Sequence, residues 1–510
     1  MKQKTRQYRI VLVCLVACSM AFPIGASAIE QDVTKQRFRD LTTHEQLKNK
    51  LLRIQRRARN TIQVGPLIEN QDNGGLINID ADLVLGPSTK PDPCGPNNVQ
   101  PTVREAVICT VNDGGRGNQV PNQIGLSTQG RELWGARLGN KDGMKVLFIT
   151  QQHGNEVRST EAALQVIEYL SRTRHTFHKS LLEKLDILFL VRANPDGGEP
   201  SRDCFIGTPF GSVIQENCAL TRTNVDPQAG GGYSEDSESD FFGTVGVGYN
   251  LNRYHYVDLK HPIRPQENQA MVATALAWRP EVVFDLHGDL HKTACVIDPS
   301  SITPGALVSG LPSAQCQAGS DESAVVLSPI VSMLNEDGGT QQNRSRTLAA
   351  RVAKKVQTLG FGSVNRFAQI NTGTGAINEG GAGAYAKVGA VVGGWESLNF
   401  TNAVSLSVQR IVDGMPIPGL TTEWFMGNRQ FRFVNTLMNS VAIMEGLKVV
   451  SEWTSTEPID EGGYCDLPLT TAIKVAFPED VFGPNPGYGP FLLPLIGQLL
   501  QVLDSCPNNP

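Results

Sequence analysis

Short apolar runs that end in polar turns recur through the middle of the sequence and alternate with segments of helical periodicity. The strand-like runs lie at 145–150, 185–191, 282–286 and 390–393, and residues 124–138 alternate apolar and polar positions as a strand does. Apolar residues recur at helical spacing within 159–172 and 267–278. Strands that alternate with helices predict an α/β fold with a mixed, partly parallel sheet flanked by helices on both faces.

The regions outside this alternation predict the domain organisation. Residues 29–64 are polar and helical in character, and we interpret them as a solvated helix packed by one apolar edge, in preference to a pro-segment, a docking helix or a partly disordered arm. Residues 66–122 are rich in Gly, Pro, Asn and Asp, which is typical of loop and edge structure. The predicted parts are a signal peptide (1–28), a helical and loop-rich extension (29–122), a main domain (123–447) and a Pro- and Gly-rich tail packed on it (448–510).

The first 28 residues indicate export. They consist of a basic head, an apolar middle and a small-residue ending before the expected cleavage after Ala28. The segment 15–18 also resembles a lipoprotein cleavage box, which would place a lipid on Cys18. We favour soluble export, to the periplasm or the medium, because the chain remains apolar past Cys18.

Charge and hydropathy exclude two classes of partner. The formal net charge is -5 and no long basic run occurs, which argues against nucleic acid. No apolar run after the signal peptide is long enough to cross a membrane, since the run at 491–503 is broken by Pro494 and Gly497. The acidic run at 235–240 is interpreted as a solvated loop in preference to a calcium site.

The cysteines indicate disulfides in an exported chain. Eight remain after cleavage, an even number, and no C-x-x-C pair occurs among them. Pairing of neighbours along the sequence would close four local loops, although eight cysteines allow about 100 connectivities. The eight are Cys94, Cys109, Cys204, Cys218, Cys295, Cys316, Cys465 and Cys506.

Two strand ends carry residues that bind metals. The run at 145–150 leads into His153 and Glu156, and the run at 282–286 ends at His287. Because ligands collect at the carboxyl ends of strands in open α/β sheets, these three side chains can converge on one cation. Three protein ligands that leave one position open for water form the catalytic pattern for zinc.

The motifs, taken in order, resemble the zinc metallocarboxypeptidases of the carboxypeptidase A family, and the resemblance spans roughly 124–447. That family has the same His, Glu, His ligand set, so the resemblance implies one Zn²⁺ ion held by His153, Glu156 and His287. It also implies the zinc carboxypeptidase fold for the 123–447 domain. The matching motifs are H-G-N-E at 153–156, N-P-D-G at 194–197, N-L-N-R at 250–253, His287 after a strand, and G-W-E at 394–396.

The resemblance also implies roles for four further residues. Glu396 would be the general base, with Glu379 as the alternative, and Arg222 would stabilise the oxyanion. Asn252 and Arg253 would bind the terminal carboxylate of a peptide, because a guanidinium meets a carboxylate with two parallel hydrogen bonds.

Two positions depart from the family pattern. Asn250 stands where the family commonly has an Asp that orients a zinc-bound histidine. Residues 372–378 contain no tyrosine, although the family usually places its substrate-capping tyrosine there. The neutral amide of Asn250 should support the histidine less strongly, whereas the missing tyrosine concerns the substrate side.

The expected function is therefore that of an exported zinc metallocarboxypeptidase that cleaves C-terminal peptide bonds with Glu396 as general base. One alternative is a peptidoglycan stem-peptide amidase or peptidase of the same fold. Another, of a different class, is a catalytically inactive binding protein. The partner in each case is a peptide or a peptidoglycan-derived molecule.

Overall fold

The computed structural model describes the protein in segments, and the chain divides at residue 40, before the first of them. The structure describes residues 42–58, 62–68, 75–83, 101–112, 124–154, 156–199, 203–208, 211–216, 223–225, 249–259, 264–289, 330–333, 340–359, 364–369, 381–398, 411–412, 415–416, 429–453, 463–467 and 469–472. The described helices are α1 (His44–Arg57), α2 (Val103–Asn112), α3 (Val157–Arg172), α4 (Thr176–Lys184), α5 (Gln266–Trp278), α6 (Thr340–Thr358) and α7 (Arg429–Glu452). None of these helices is long and apolar enough to cross a membrane.

Nine strands form one mixed sheet. They are β1 (Ile62–Pro66), β2 (Trp134–Gly139), β3 (Met144–Thr150), β4 (Leu185–Leu190), β7 (Val282–Asp289), β8 (Ile330–Met333), β9 (Asn365–Gln369), β10 (Val391–Leu398) and β13 (Leu469–Ala472). The order across the sheet is β1-β2-β4-β3-β7-β10-β8-β9-β13. Two small hairpins stand apart from it, formed by β5 (Asp203–Thr208) with β6 (Gly211–Glu216) and by β11 (Ile411–Val412) with β12 (Met415–Pro416).

The centre of the sheet is parallel and its β1–β2 side is antiparallel. Strands β4, β3, β7 and β10 pair in parallel, whereas β1, β2 and β4 pair antiparallel. Strand β8 runs antiparallel to β10, and β9 and β13 then continue in parallel with β8. The mixed, partly parallel sheet expected from the sequence is confirmed.

Helices cover both faces of the sheet, and each face has its own core. Along β3, Val146 and Phe148 pack on one side with α1, α3, α4, α6 and α7. Leu147 and Ile149 pack on the other side with α2 and α5. This alternation follows from the period of two along a strand. Phe148 stacks between Phe189 and Phe284 of the neighbouring strands, with ring centroids 4.6 and 4.7 Å away.

The N-terminal region contributes a docked helix. Helix α1 begins with a capping box in which Thr43 and Gln46 bond each other's backbone N–H groups. Its apolar edge, Leu47, Leu51 and Ile54, is fully buried in the main core. Residues 44–57 thus form a helix that packs on the main core by one apolar edge.

Several elements differ from the expectations. Helix α2 lies inside the segment expected to be loop, and residues 124–133 form turns before β2 begins at Trp134. Gly125 and Gly130 adopt positive φ there, +101° and +77°, and so interrupt the extended backbone. Helix α7 runs through the boundary expected at residue 447, and β13 in the C-terminal region joins the main sheet. Regular spacing marks long helices well, whereas short edge elements depend on partners that lie far away in the sequence.

Candidate metal centre

Three adjacent parallel strands bring the candidate ligands and the predicted base Glu396 to one edge of the sheet. Strand β3 leads into the loop with His153 and Glu156, and its last residue, Thr150, pairs in register with Leu286 of β7. His287 follows Leu286 directly and pairs in register with Glu396 of β10. Because neighbouring parallel strands end at the same edge, residues far apart in sequence meet there.

The loop before Glu156 is held in an uncommon conformation. Gln151 has a positive φ of 54°, and Thr160 Oγ1 and Arg192 Nε both donate to its side-chain oxygen, at 2.7 and 3.0 Å. Its amide nitrogen donates to the Gly154 carbonyl at 2.7 Å. A Cβ at Gly154 would lie 2.1 Å from the carbonyl carbon of Gly197, so this position requires glycine. The loop is thus fixed by side-chain bonds and by close backbone packing.

The three predicted ligands converge in a buried cluster. Their ligand atoms all lie within 4.8 Å of one another, and the side chains are 1–6% exposed. His153 Nδ1 is 2.7 Å from one Glu156 oxygen, and His287 Nδ1 is 3.1 Å from the other. The two Nδ1 atoms are 3.3 Å apart. Among the described residues this is the group of His, Cys, Asp and Glu side chains that can hold a metal ion.

The donor set fits zinc. Four ligands around zinc at about 2.0–2.2 Å in a tetrahedron lie roughly 3.3 Å from one another, close to the spacing of these atoms. Two neutral imidazoles that direct Nδ1 lone pairs at each other repel unless a positive charge lies between them. The geometry therefore suits a cation bound by Nδ1 of both histidines and by the Glu156 carboxylate.

The charges around the cluster also favour a bound cation. Burial raises the pKa of the Glu156 carboxyl, but His153 and His287 outweigh burial and lower it well below its usual range. Burial lowers the pKa of His287, but Asp285 and then Glu156 outweigh burial and raise it to about 10. Two ionised carboxylates thus surround the histidines, and a bound cation supplies the charge that they attract.

Each histidine is oriented through its second ring nitrogen by a different group. His153 Nε2 lies 3.0 Å from Asn250 Oδ1, and His287 Nε2 lies 2.8 Å from Asp285 Oδ2. Asp285 is also bonded by the Gln152 amide nitrogen at 2.6 Å. Both rings therefore keep Nε2–H as donor and leave Nδ1 for the metal.

The backbone of Tyr249, the residue before Asn250, is linked through Asn224 to a buried acidic residue. Tyr249 N donates to Asn224 Oδ1 at 2.7 Å, and Asn224 Nδ2 donates to Glu267 Oε2 at 2.9 Å. Burial, together with the charge of Asp196, raises the pKa of Glu267 to about 7. The segment that places Asn250 beside His153 is thus linked through Asn224 to Glu267, whose pKa lies near neutral pH.

The substrate-side predictions are only partly within the described residues. Asn252 and Arg253 lie in the 3₁₀ turn Leu251–Arg253 directly after Asn250, and both are half-buried. For Glu396 the structure describes the backbone in β10, beside His287, and not the side chain. Arg222 and the alternative base Glu379 lie outside the described residues.

Sequence reasoning did not identify Asp285, Gln152, His255 and Tyr385 as parts of the centre. For Asp285 a signal exists, because residues two apart on a strand share a face and Asp285 therefore shares that of His287. Gln152 directly precedes His153, but adjacency alone does not select it. His255 reaches the centre only through the folding of the segment after Arg253.

Comparison with known protein families gives a match over part of the chain. The zinc carboxypeptidase family model matches residues 120–288, which contain His153, Glu156 and His287. This part of the chain is thus similar to the zinc carboxypeptidases, the family that the motifs in its sequence resemble. No curated protein matches the sequence.

Solved structures of metallocarboxypeptidases match this chain at low identity and with low TM-scores. A metallo-carboxypeptidase from Burkholderia cenocepacia is 16% identical, with a TM-score of 0.36, over 64% of this chain and 63% of that one. One from Pseudomonas aeruginosa, in complex with (2-guanidinoethylmercapto)succinic acid, is 18% identical, with a TM-score of 0.36, over 64% of each chain. Carboxypeptidase A from Helicoverpa armigera is 11% identical, with a TM-score of 0.40, over 88% of this chain and 82% of that one. This chain thus covers less than two thirds of the length of the two bacterial proteins.

Proposed function

We propose that the protein is an exported zinc metallocarboxypeptidase that removes residues from the free carboxyl end of peptides. The observation that carries this proposal is the buried cluster of His153, Glu156 and His287, with Glu396 in register beside His287. The family match over 120–288 supports the same chemistry. One zinc ion, a cleaved signal peptide at 1–28 and disulfides among the eight remaining cysteines complete the proposal.

Zn²⁺ supplies a Lewis acid that polarises the scissile carbonyl and acidifies the attacking water. Residues of the protein supply the proton transfer and the stabilisation of the oxyanion. Glu396 would accept a proton from the attacking water and return it to the leaving amine, and its backbone lies on β10 in register with His287. Arg222 stabilises the oxyanion that develops on the carbonyl.

Asn252 and Arg253 bind the terminal carboxylate of the substrate. They sit on the turn that follows Asn250, whose side chain bonds His153, so the turn is fixed relative to the metal centre. A terminal carboxylate held there sets which peptide bond reaches the zinc. This role predicts that amidation of a peptide's carboxyl end abolishes cleavage.

The two departures from the family pattern do not remove the metal half of the site. Asn250 still lies at hydrogen-bonding distance from His153, 3.0 Å, and Asp285 supplies a carboxylate to the other histidine. This arrangement supports an enzyme over an inactive binding protein. The choice between ordinary peptides and peptidoglycan stem peptides is left to the substrate experiment.

The test is product identification by mass spectrometry. Purified protein is incubated with a mixed peptide library, with the same peptides amidated at the carboxyl end, and with muropeptides. We expect loss of C-terminal residues from free peptides alone, abolished by a chelator and restored by Zn²⁺. Cleavage confined to muropeptides would replace the proposal by the peptidoglycan function, and chelator-insensitive cleavage or none would overturn it.

Glu396→Gln tests the mechanism. The variant is expected to retain zinc but to lose turnover by on the order of 10²–10⁴-fold, because an amide cannot accept the proton. Glu168→Gln is the matched control, since Glu168 pairs with Arg172 on the exposed face of α3. Normal turnover in Glu396→Gln would remove Glu396 from this role.

A further inference from the structure

A chain of buried polar side chains leads away from the metal centre to a tyrosine. Asp285 accepts from Gln152 Nε2 at 2.6 Å, and Gln152 Oε1 is 2.6 Å from His255 Nε2. His255 Nδ1 in turn is 2.6 Å from the Tyr385 hydroxyl. Gln152, His255 and Tyr385 are fully buried, and Asp285 is 3% exposed.

The direction of every hydrogen bond in this chain follows from Asp285. An ionised carboxylate only accepts, so the Gln152 amide nitrogen must face it and the amide oxygen must accept from His255 Nε2–H. His255 Nδ1 then carries the lone pair and accepts from the Tyr385 hydroxyl. Every hydrogen bond in the chain thus points toward Asp285, and this is the assignment of protons that fits an ionised carboxylate at its end.

The protonation states agree with this direction. Burial lowers the pKa of His255 to about 4, so the ring is neutral with one donor and one acceptor. Burial raises the pKa of the Tyr385 phenol well above its usual value, so the hydroxyl keeps its proton. The chain is therefore neutral from Tyr385 to Gln152 and ends on the charge of Asp285.

The chain ties together the segments that carry the proposed chemistry. Gln152 precedes His153 in the loop after β3, and Asp285 lies two residues before His287 on β7. His255 follows the turn with Asn252 and Arg253, and Tyr385 lies in the 3₁₀ helix Ala382–Val388 that leads into β10. Ring centroids of His255 and Tyr385 are 5.3 Å apart at right angles, so the two rings also pack edge to face.

We propose that His255 and Tyr385 are positioning residues of the metal centre: acting through Gln152, they fix the Asp285 carboxylate on His287 Nε2–H and so present His287 Nδ1 to the zinc. The proposal rests on the proposed function for its reaction, and it adds two residues that touch neither the metal nor the substrate. Without them, Asp285 would keep its bond to His287 but lose the anchored partner that sets its orientation.

The test measures metal affinity and geometry directly. Zinc affinity is determined by chelator competition, and the visible spectrum of the Co²⁺-substituted protein reports the ligand geometry. His255→Leu is expected to weaken zinc binding by on the order of 10–100-fold and to alter the Co²⁺ spectrum. Tyr385→Phe, which removes one oxygen atom, is expected to act in the same direction by a smaller factor.

Two further variants separate positioning from general loss of structure. In the His255→Leu background, Tyr385→Phe should have no additional effect on zinc affinity, because its path to Asp285 is already broken. His255→Gln, which offers a donor and an acceptor, should recover part of the affinity. Tyr169→Phe is the control, since Tyr169 is 51% exposed and bonds His178 on the surface.

The outcomes separate this proposal from the proposed function. Wild-type zinc affinity and Co²⁺ spectrum in folded Tyr385→Phe and His255→Leu would overturn the positioning role, whatever the peptidase activity. Additive losses in the double variant would overturn it as well. If the wild type binds zinc but cleaves no peptide, the proposed function fails while the affinity changes still decide the positioning role. If His255→Leu does not fold, Tyr385→Phe alone decides it.

Discussion

His153 and His287 present the same ring nitrogen to the candidate zinc site but rest on different supports. A neutral amide, Asn250, bonds His153, whereas the carboxylate of Asp285 bonds His287. A carboxylate partner makes an imidazole a stronger base and a better ligand than an amide partner does. The outer negative charge expected beside His153 is therefore found beside His287.

The backbones that carry the two histidines differ as well. His287 lies within β7, which is paired with β3 and β10. His153 lies in a loop that depends on the positive φ of Gln151 and on glycine at 154. His287 is thus held in place by strand pairing, whereas His153 is held in place by the local packing of its loop. The experiments below test this difference, from the largest expected effect to the smallest.

Removing Glu156 should affect the environment of both histidines, because its two oxygens face His153 and His287. Glu156→Ala is expected to lower zinc affinity by on the order of 10²–10³-fold, since each ligand of a four-ligand site contributes roughly 3–4 kcal/mol. Chelator competition measures the change, with Glu168→Gln as control. Zinc binding at the wild-type level would show that the metal lies elsewhere.

Exchanging the residue types that bond the two histidines should change the zinc affinity in opposite directions. Asp285→Asn is expected to weaken zinc binding by on the order of 10–100-fold, and Asn250→Asp to strengthen it by a smaller factor. Calorimetric zinc titration of both variants and of the double variant gives the comparison. Equal and opposite effects would mean that only the number of outer carboxylates matters, and a loss in Asn250→Asp would contradict the expected support of His153.

The loop side should be more sensitive to backbone crowding. Gly154→Ala places a Cβ 2.1 Å from backbone at Gly197 and is expected to lower the free energy of unfolding by about 1–3 kcal/mol. Gly393→Ala on β10 is the control, because its Cβ would meet only the end of Leu348 at 3.2 Å. Urea unfolding measures both, and equal losses would argue against a special constraint at Gly154.

The support of His153 should also respond to pH. The folded protein raises the pKa of Glu267 from 4.5 to about 7, so its contribution to stability is complete below about pH 4.5 and is lost as the pH rises through about 7. Urea unfolding of the wild type should therefore show stability falling across this window. Glu267→Gln should flatten the profile there, and an unchanged slope would assign the titration to another group.

The sequence predicts the parallel centre of the fold well, and its edges poorly. Strands β3, β4 and β7 carry apolar residues on both faces, as expected where both faces are covered by helices. Strands β1 and β13 are short edge elements whose partners lie far away along the chain, so local pattern cannot distinguish them from loop. Helix α2 was missed because its neighbourhood is rich in turn-forming residues.

The candidate site likewise contains residues that the sequence predicts and residues that it does not predict. His153, Glu156 and His287 follow from strand ends and motif spacing, and the structure brings them together. His255 and Tyr385 carry no such signal, because an imidazole on a loop and a tyrosine in a short helix become partners only through tertiary packing. The roles of Glu396, Arg222, Asn252 and Arg253 stay predictions.

The buried edge of α1 limits how the protein can mature. Leu47, Leu51 and Ile54 are 0–2% exposed, and burial of such side chains contributes roughly 1.5–3 kcal/mol each. Their sum rivals the total stability of an ordinary domain, about 5–15 kcal/mol. Arg192, which bonds the Thr42 carbonyl at 2.6 Å, also bonds Gln151 in the metal-binding loop. A chain shortened from its N-terminal side should therefore keep this packing only if it is cut before Thr42, and a recombinant form that begins after residue 58 should fold poorly and bind zinc weakly.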